Sequence, residues 1–186
     1  MDIKKDSYLW RYLSKPQQDL IEQGQYLCNE VMSDGKYSFK DYSFLVFPFA
    51  KAYEGFLKQI LLDVGFISHL DYISDHFRLG KVLSVNLVSK LQDRSVYKKI
   101  VDYSGIDLAD QIWDTWKNCR NQVFHYFPHN LRSLSFNDAA KIIDQIMTTM
   151  TETVIRLKSD NIKSRLKQYS KPKSNVIARS VNDEAI

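Results

Sequence analysis

FPFAKAYEGFLKQILLDVGFI, residues 47–67, decides the fold class of this chain of 186 residues. Its apolar side chains recur every three or four positions, which is the spacing of one broad face of an α-helix. Pro48 suits a first helical turn and Gly65 suits the position after a helix end, so we predict one helix between them. The predicted buried face consists of Tyr53, Phe56, Leu57, Ile60, Leu61 and Val64.

Signals of the same kind predict helices on either side of this segment. Residues Ser14–Gln17 form a capping-box pattern with proline near the first helical position, and the helix that they begin should end at Gly35. Further along, we predict two shorter helices, Leu79–Leu91 and Val96–Tyr103. No segment shows the alternation that is typical of a strand.

The C-terminal half predicts two more helices. Asp107 should cap the first of them, with Asp110 in its first turn, and the helix should run to Phe127 because Pro128 disfavours helical geometry there. Ser135 should cap a last long helix. Its buried face would hold Ile143, Ile146, Met147, Met150, Val154 and Leu157. We therefore predict an all-α fold, a bundle of four or five helices.

The composition is ordinary for a soluble globular protein, with 44% hydrophobic and 26% charged residues. The formal net charge of +4 permits an anionic partner without demanding one. Cys28 and Cys119 are too few for a disulfide framework or a zinc pattern. The first ten residues lack an apolar signal region, and Pro48 and Lys51 interrupt the most apolar stretch. We expect a cytoplasmic protein without a membrane span.

Residues 1–169 are expected to form one domain, and residues 170–186 a polar tail that is flexible or docks a partner. A basic run lies before and within this tail. It consists of Arg156, Lys158, Lys163, Arg165, Lys167, Lys171 and Lys173. These cations either complement the dipole of a helix C-terminus or contact a phosphate backbone, and the sequence leaves both readings open.

A second segment, Arg120–Asn130 (RNQVFHYFPHN), carries the candidate chemistry. On a wheel of about 100° per residue, Arg120 falls at the edge of the buried face of its predicted helix. A partly buried arginine needs a carboxylate partner. Glu54 lies beside the apolar face of the helix predicted from Pro48, so we predict a Glu54–Arg120 pair. Asp63 and Asp110 are the alternatives.

His125 falls on the outer side of the same predicted helix, one turn after Asn121, with Lys117 one turn earlier. A histidine exchanges protons near neutral pH, and a guanidinium holds a phosphate through two hydrogen bonds. Arg120 and His125 would therefore suit RNA cleavage without a metal or a cofactor, with the ribose 2′-OH as the nucleophile. Chance placement near a helix end explains the same spacing. The other histidines are interpreted as surface loop residues: His69, His76 and His129.

Arg120 and His125 resemble the R-x4-6-H signature of the HEPN superfamily. Residues 47–67 are similar to the HEPN domain of the RNase LS (RnlA) toxin family, which has an acidic residue at the position of Glu54. The resemblance covers roughly residues 40–155 and implies a HEPN-like helical bundle. It also implies a metal-independent endoribonuclease that acts as a toxin or anti-phage effector. Its catalytic residues would be Glu54, Arg120 and His125, with Asn121 in support. Lys117, Tyr126 and Arg132 are further candidates for RNA binding or for support of the site.

The resemblance further implies an RNA substrate, a homodimer with two motifs facing each other across a cleft, and a protein antitoxin. Phe127 stands where many relatives that pair with nucleotidyltransferase antitoxins have a tyrosine, which argues against control by nucleotide attachment at that position. RNase LS toxins carry extra N-terminal domains, so we expect a stand-alone HEPN protein or a fragment. The alternative function is a non-catalytic HEPN module that binds RNA, a nucleotide or a protein.

Overall fold

The computed structural model describes residues 5–35 and 37–157, and every regular element within these ranges is helical. The prediction of an all-α helical bundle is confirmed, but the described residues form nine α-helices rather than four or five. Three helices are long: α2 (Lys15–Asp34), α3 (Ser43–Asp63) and α9 (Phe136–Arg156). The shorter helices of the described residues are α1 (Tyr8–Tyr12), α4 (His69–Ile73), α5 (Leu79–Val82), α6 (Val88–Leu91), α7 (Val96–Ser104) and α8 (Ile106–Thr115). None of the described helices combines the length and apolarity that a membrane span requires.

Helix α3 is the centre of the bundle. It packs against α2 and α9, while α8 packs against α7 and α9. Thirteen of its 21 residues are buried, which explains why its sequence is apolar almost all round. The predicted apolar face is buried except for Val64, which is half-buried beyond the helix end. This central helix therefore holds the residues on its partly exposed side in fixed positions.

The start of α3 differs from the prediction. The helix begins at Ser43, and Pro48 is its sixth residue rather than its first. Proline lacks an N–H, so the carbonyl of Phe44 has no donor from position 48. Pro48 and its neighbour Phe49 are nonetheless buried, and this apolar burial offsets the missing hydrogen bond. The predicted end is confirmed, since α3 ends at Asp63 just before a left-handed glycine at position 65.

The predicted helix Leu79–Leu91 is wrong. The segment divides into α5, a 3-10 turn over Val85–Leu87, α6, and a second 3-10 turn over Gln92–Arg94. No residue between Val85 and Leu91 is buried, so tertiary packing does not hold a continuous helix there. The next prediction is confirmed, because α7 spans Val96–Ser104.

The predicted helix from Asp107 to Phe127 is also corrected. Helix α8 begins at Ile106, and Asp107 lies within its first turn, where it pairs with Arg156. After Thr115 the chain widens into a π-helical turn, Trp116–Asn121, and the helical segment ends there. Phe127 is extended (φ −97°, ψ 146°), as expected before a proline, but it lies six residues beyond the helix end.

The other helix-start predictions are confirmed. The capping box at Ser14 is present, and the hydroxyl of Ser135 accepts a hydrogen bond from the Asp138 N–H at 3.1 Å. The predicted inner face of α9 is buried except for the half-buried Met147. The predicted domain end at residue 169 and the tail of residues 170–186 lie outside the described residues. The basic run beyond Arg156 lies outside them as well.

Candidate active site

An ion pair joins α3 to the π-helical turn. Arg120 Nη2 lies 2.9 Å from Glu54 Oε2, so the predicted pair is confirmed. The two alternative carboxylates have other donors, since Asp63 accepts a hydrogen bond from Tyr12 and Asp110 accepts one from Tyr97. The side chains of Arg120 and Glu54 are 37% and 34% exposed. The pair is therefore held within the fold and still reachable from solvent.

Two buried contacts position this ion pair. The hydroxyl of Tyr53, the residue before Glu54, donates to the carbonyl oxygen of Ile112 at 3.1 Å and so fixes α3 against α8. Burial raises the pKa of the Tyr53 hydroxyl well above its ordinary value, which keeps it a donor. The Arg120 guanidinium lies 4.9 Å from the ring centre of Trp116, in a cation–π contact. These two contacts therefore hold the ion pair against α8 and the ring of Trp116.

Two hollows open beside the ion pair, and Glu54 and Arg120 line both. The first hollow has a volume of about 380 Å³, and the second about 210 Å³. Besides the pair, the first is lined by Phe77, Arg78, Leu79, Gly80, Trp113, Trp116 and Asn121. The second is lined by Phe47, Ala50, Lys51 and Phe124. An anion bound in either hollow could therefore contact Arg120.

His125 lies beside Asn121, a residue that lines the first hollow. Its Nε2 is 3.2 Å from the side-chain oxygen of Asn121, so the predicted proximity holds although His125 lies beyond the helix. In the tautomer that donates Nε2–H to this amide oxygen, Nδ1 keeps the lone pair that a general base needs. Both residues are exposed. Asn121 lines the first hollow, whereas His125 lines neither hollow.

The remaining predicted site residues lie outside the two hollows. Lys117 is exposed on the π-helical turn, and Tyr126 is 79% exposed after it. Arg132 stacks over the ring of Phe127 at 4.0 Å and donates to the side-chain oxygen of Gln122 at 3.1 Å. Arg132 therefore braces the loop that carries His125. RNA contacts by Lys117, Tyr126 and Arg132 stay predictions.

Asp41, which the sequence analysis did not single out, ties the same loop to the start of α3. Its carboxylate accepts hydrogen bonds from the side chain of Asn130 at 3.0 Å and from the N–H groups of Ser43 at 2.9 Å and Leu134 at 3.2 Å. Burial would raise the pKa of this carboxyl, but these hydrogen bonds outweigh it and hold the pKa below its ordinary value. The Asp-x-Ser spacing ahead of an apolar helix is the capping signal that could have identified Asp41.

Arg78 is a second cation that the sequence analysis did not place at the site. It lies in HFRLG, residues 76–80, just before α5, and lines the first hollow. A Cβ atom at Gly80 would lie 2.7 Å from the indole nitrogen of Trp116, so glycine permits the close approach that brings Arg78 to the hollow. An arginine beside an aromatic residue and a glycine was the available signal.

Comparison with known proteins gives one distant similarity to an RNA-cleaving enzyme. No model of a protein family matches the chain, and no solved structure is significantly similar to it. The chain is 25% identical over 167 residues to the mRNA endoribonuclease LsoA of Escherichia coli O157:H7, an alignment that covers 85% of this chain and 46% of that protein. It thus spans about half the length of its curated relative. The similarity is consistent with a ribonuclease.

Proposed function

We propose that the chain is a metal-independent endoribonuclease of the HEPN type, acting as a toxin or anti-phage defence effector. The observation that carries this proposal is the partly exposed Glu54–Arg120 pair, which lines two open hollows, with His125 hydrogen-bonded to Asn121 of the first hollow. The distant relative named as an mRNA endoribonuclease supports the reaction class. Glu54, Arg120 and His125 are the proposed catalytic residues.

Arg120 supplies the phosphate contact. A guanidinium has five N–H donors, and the hydrogen bond to Glu54 Oε2 engages one of them. The donors that remain can hold the phosphate and stabilise the charge that develops as its fifth oxygen bond forms. Glu54 keeps the guanidinium oriented towards the hollows.

His125 supplies the proton transfers. Its Nδ1 accepts the proton of the ribose 2′-OH, and the 2′-oxygen attacks the adjacent phosphorus. The bond from phosphorus to the 5′-oxygen breaks, and a protonated histidine delivers a proton to that oxygen. The products are a 2′,3′-cyclic phosphate and a 5′-hydroxyl. DNA lacks the 2′-OH and is not cut.

A second copy of the chain would complete the site. The reaction uses one base and one acid, and His125 is exposed outside both hollows, where a symmetry mate can bring its own His125 close. We therefore propose a homodimer with a composite site. A protein antitoxin that covers this surface would keep the enzyme inactive.

The test is RNA cleavage in the presence of EDTA by the wild type, Arg120→Ala and His125→Ala. We expect cyclic-phosphate ends from the wild type and rates about 100- to 1,000-fold lower for both variants. His69→Ala and Arg94→Ala change exposed residues outside the hollows and should cleave like the wild type. Equal cleavage by all five proteins, loss of cleavage in EDTA, or 3′-hydroxyl ends would each refute the mechanism.

A non-catalytic module that binds RNA is the second candidate, because His125 lines neither hollow. Expression in bacteria separates the two. Growth arrest that His125→Ala abolishes supports the nuclease toxin. Harmless expression, together with RNA binding that weakens steeply with salt and is unchanged in His125→Ala, supports the module.

A further inference from the structure

The first hollow has aromatic walls that nothing in the proposed reaction uses. Phe77 and Trp113 line it and are half-buried against the core, so their rings are held in place and partly open to solvent. Trp116 is only 5% exposed, and the guanidinium of Arg120 covers its ring. Phe77 and Trp113 are therefore the rings available for a ligand.

The charges of the first hollow favour an anion. It contains the cations Arg78 and Arg120 and one carboxylate, Glu54, which pairs with Arg120. Arg78 donates to the backbone carbonyl of Asp75 at 2.6 Å, and no carboxylate among the described residues forms an ion pair with it. A planar guanidinium in this state can bind a phosphate oxygen.

The size of the first hollow also fits one small ligand. A volume of about 380 Å³ lies within the range of sites that hold one small ligand, roughly 300–1,000 Å³. Flat aromatic walls beside two guanidinium groups suit a ligand with a planar ring and a phosphate. An apolar ligand would leave Arg78 without an anionic partner, and a bare phosphate would leave the rings of Phe77 and Trp113 uncovered.

We infer that the first hollow is a base-binding subsite. It holds one nucleotide of a single-stranded RNA, with the base stacked on Trp113 and Phe77 and its phosphate between Arg78 and Arg120. Unpaired bases have free faces for such stacking, whereas bases in a duplex do not. The inference rests on the proposed function because it places the reacting strand at Arg120. It predicts that cleavage requires unpaired RNA.

The experiment measures the binding of a short, dye-labelled, single-stranded oligodeoxynucleotide, which keeps its bases and cannot be cut. A matched probe carries an abasic residue at its centre. Trp113→Ala should weaken binding of the first probe about 10- to 100-fold. Trp113→Phe keeps an aromatic face and should bind nearly as the wild type does. Tyr26→Ala, a change of a 64% exposed ring on α2, is the control and should have no effect.

The abasic probe separates stacking from a loss of structure. The wild type should bind the abasic probe as weakly as Trp113→Ala binds the intact probe. Trp113→Ala should no longer distinguish the two probes. Arg78→Ala changes an exposed side chain, so it tests the phosphate contact without disturbing the core. It should reduce the slope of log affinity against log salt concentration by about 0.7, whereas Arg78→Lys should keep the slope.

Two results would overturn the inference. One is that Trp113→Ala distinguishes the two probes as well as the wild type does. The other is binding of free adenosine monophosphate as tight as binding of the oligonucleotide, which would make the hollow a site for a soluble nucleotide. The nuclease proposal can fail separately. If the wild type cuts no RNA but still needs Trp113 to distinguish the two probes, the subsite is supported and the cleavage reaction is refuted.

Discussion

Replacing Glu54 by glutamine separates the structural role of the ion pair from its role in the proposed reaction. Glutamine has nearly the same shape and can still accept a hydrogen bond from Arg120, but it carries no charge. The contact at 2.9 Å therefore loses its electrostatic part, and Arg120 is held less firmly in its position.

The expected effect on stability is small. Both side chains are about one-third exposed, and pairs of this kind contribute about 0.2–1 kcal/mol to the free energy of unfolding. For a chain of this size the melting temperature should fall by no more than about 2–4 °C. The expected effect on RNA cleavage is large, because a guanidinium misplaced by about 1 Å costs on the order of 100-fold in rate.

The assay is thermal unfolding beside steady-state cleavage of a single-stranded RNA, with kcat and KM measured separately. We expect kcat to fall about 100-fold and KM to change by less than about threefold. Glu22→Gln is the matched control, because Glu22 forms an ion pair with Lys5 at 2.6 Å and its side chain is 35% exposed. It should cost similar stability and leave kcat unchanged. Equal kcat values for Glu54→Gln and Glu22→Gln would refute the reasoning.

Three further predictions concern stability and reactivity. Gly24→Ala should lower the free energy of unfolding by about 1–3 kcal/mol, measured by urea titration, because its Cβ would lie 2.4 Å from the ring of Phe49. This loss is expected although alanine is the better helix former. Asp41→Asn should destabilise the protein near neutral pH. Because the fold lowers the pKa of the Asp41 carboxyl, the ionised carboxylate stabilises the fold at pH values above 3.8, the ordinary pKa of this group. This stabilisation is lost as the pH falls below that value, so the difference in urea midpoint between the variant and the wild type should narrow there. Burial raises the pKa of the Cys119 thiol to about 12, so mass spectrometry should find it unmodified by iodoacetamide at about pH 8 until the protein unfolds.

Local sequence signals predicted the parts of this fold that local physics determines. The helix starts at Ser14 and Ser135 follow from side chains that bind the first free N–H groups, and the glycine after α3 follows from its left-handed backbone. The Glu54–Arg120 pair could be predicted because each residue lies at the edge of an apolar face, where a charge needs a partner.

Other parts of the site depend on contacts between distant residues. Asp41 meets Asn130 across 89 positions of the chain, and no periodicity reports such a contact. Arg78 lies at the first hollow, just before a segment that breaks into short helices. Burial against the rest of the fold, and not local helix preference, decides where such a segment breaks. The π-helical turn likewise follows from tertiary contacts, since Trp116 stays buried while Arg120 reaches Glu54.

That turn makes the site depend on chain length as well as on residue type. A π-helical turn is an α-helical one with an extra residue, and such turns are frequent at functional sites. The same residues closed into α-helical geometry would turn Arg120 further about the helix axis than the wider π-helical turn does, so it would no longer point towards Glu54 on α3. Two chains with identical site residues could therefore differ in whether the pair forms. The four residues between Arg120 and His125 likewise lie mostly in a turn after the helix end, so their number does not give a distance along a helix.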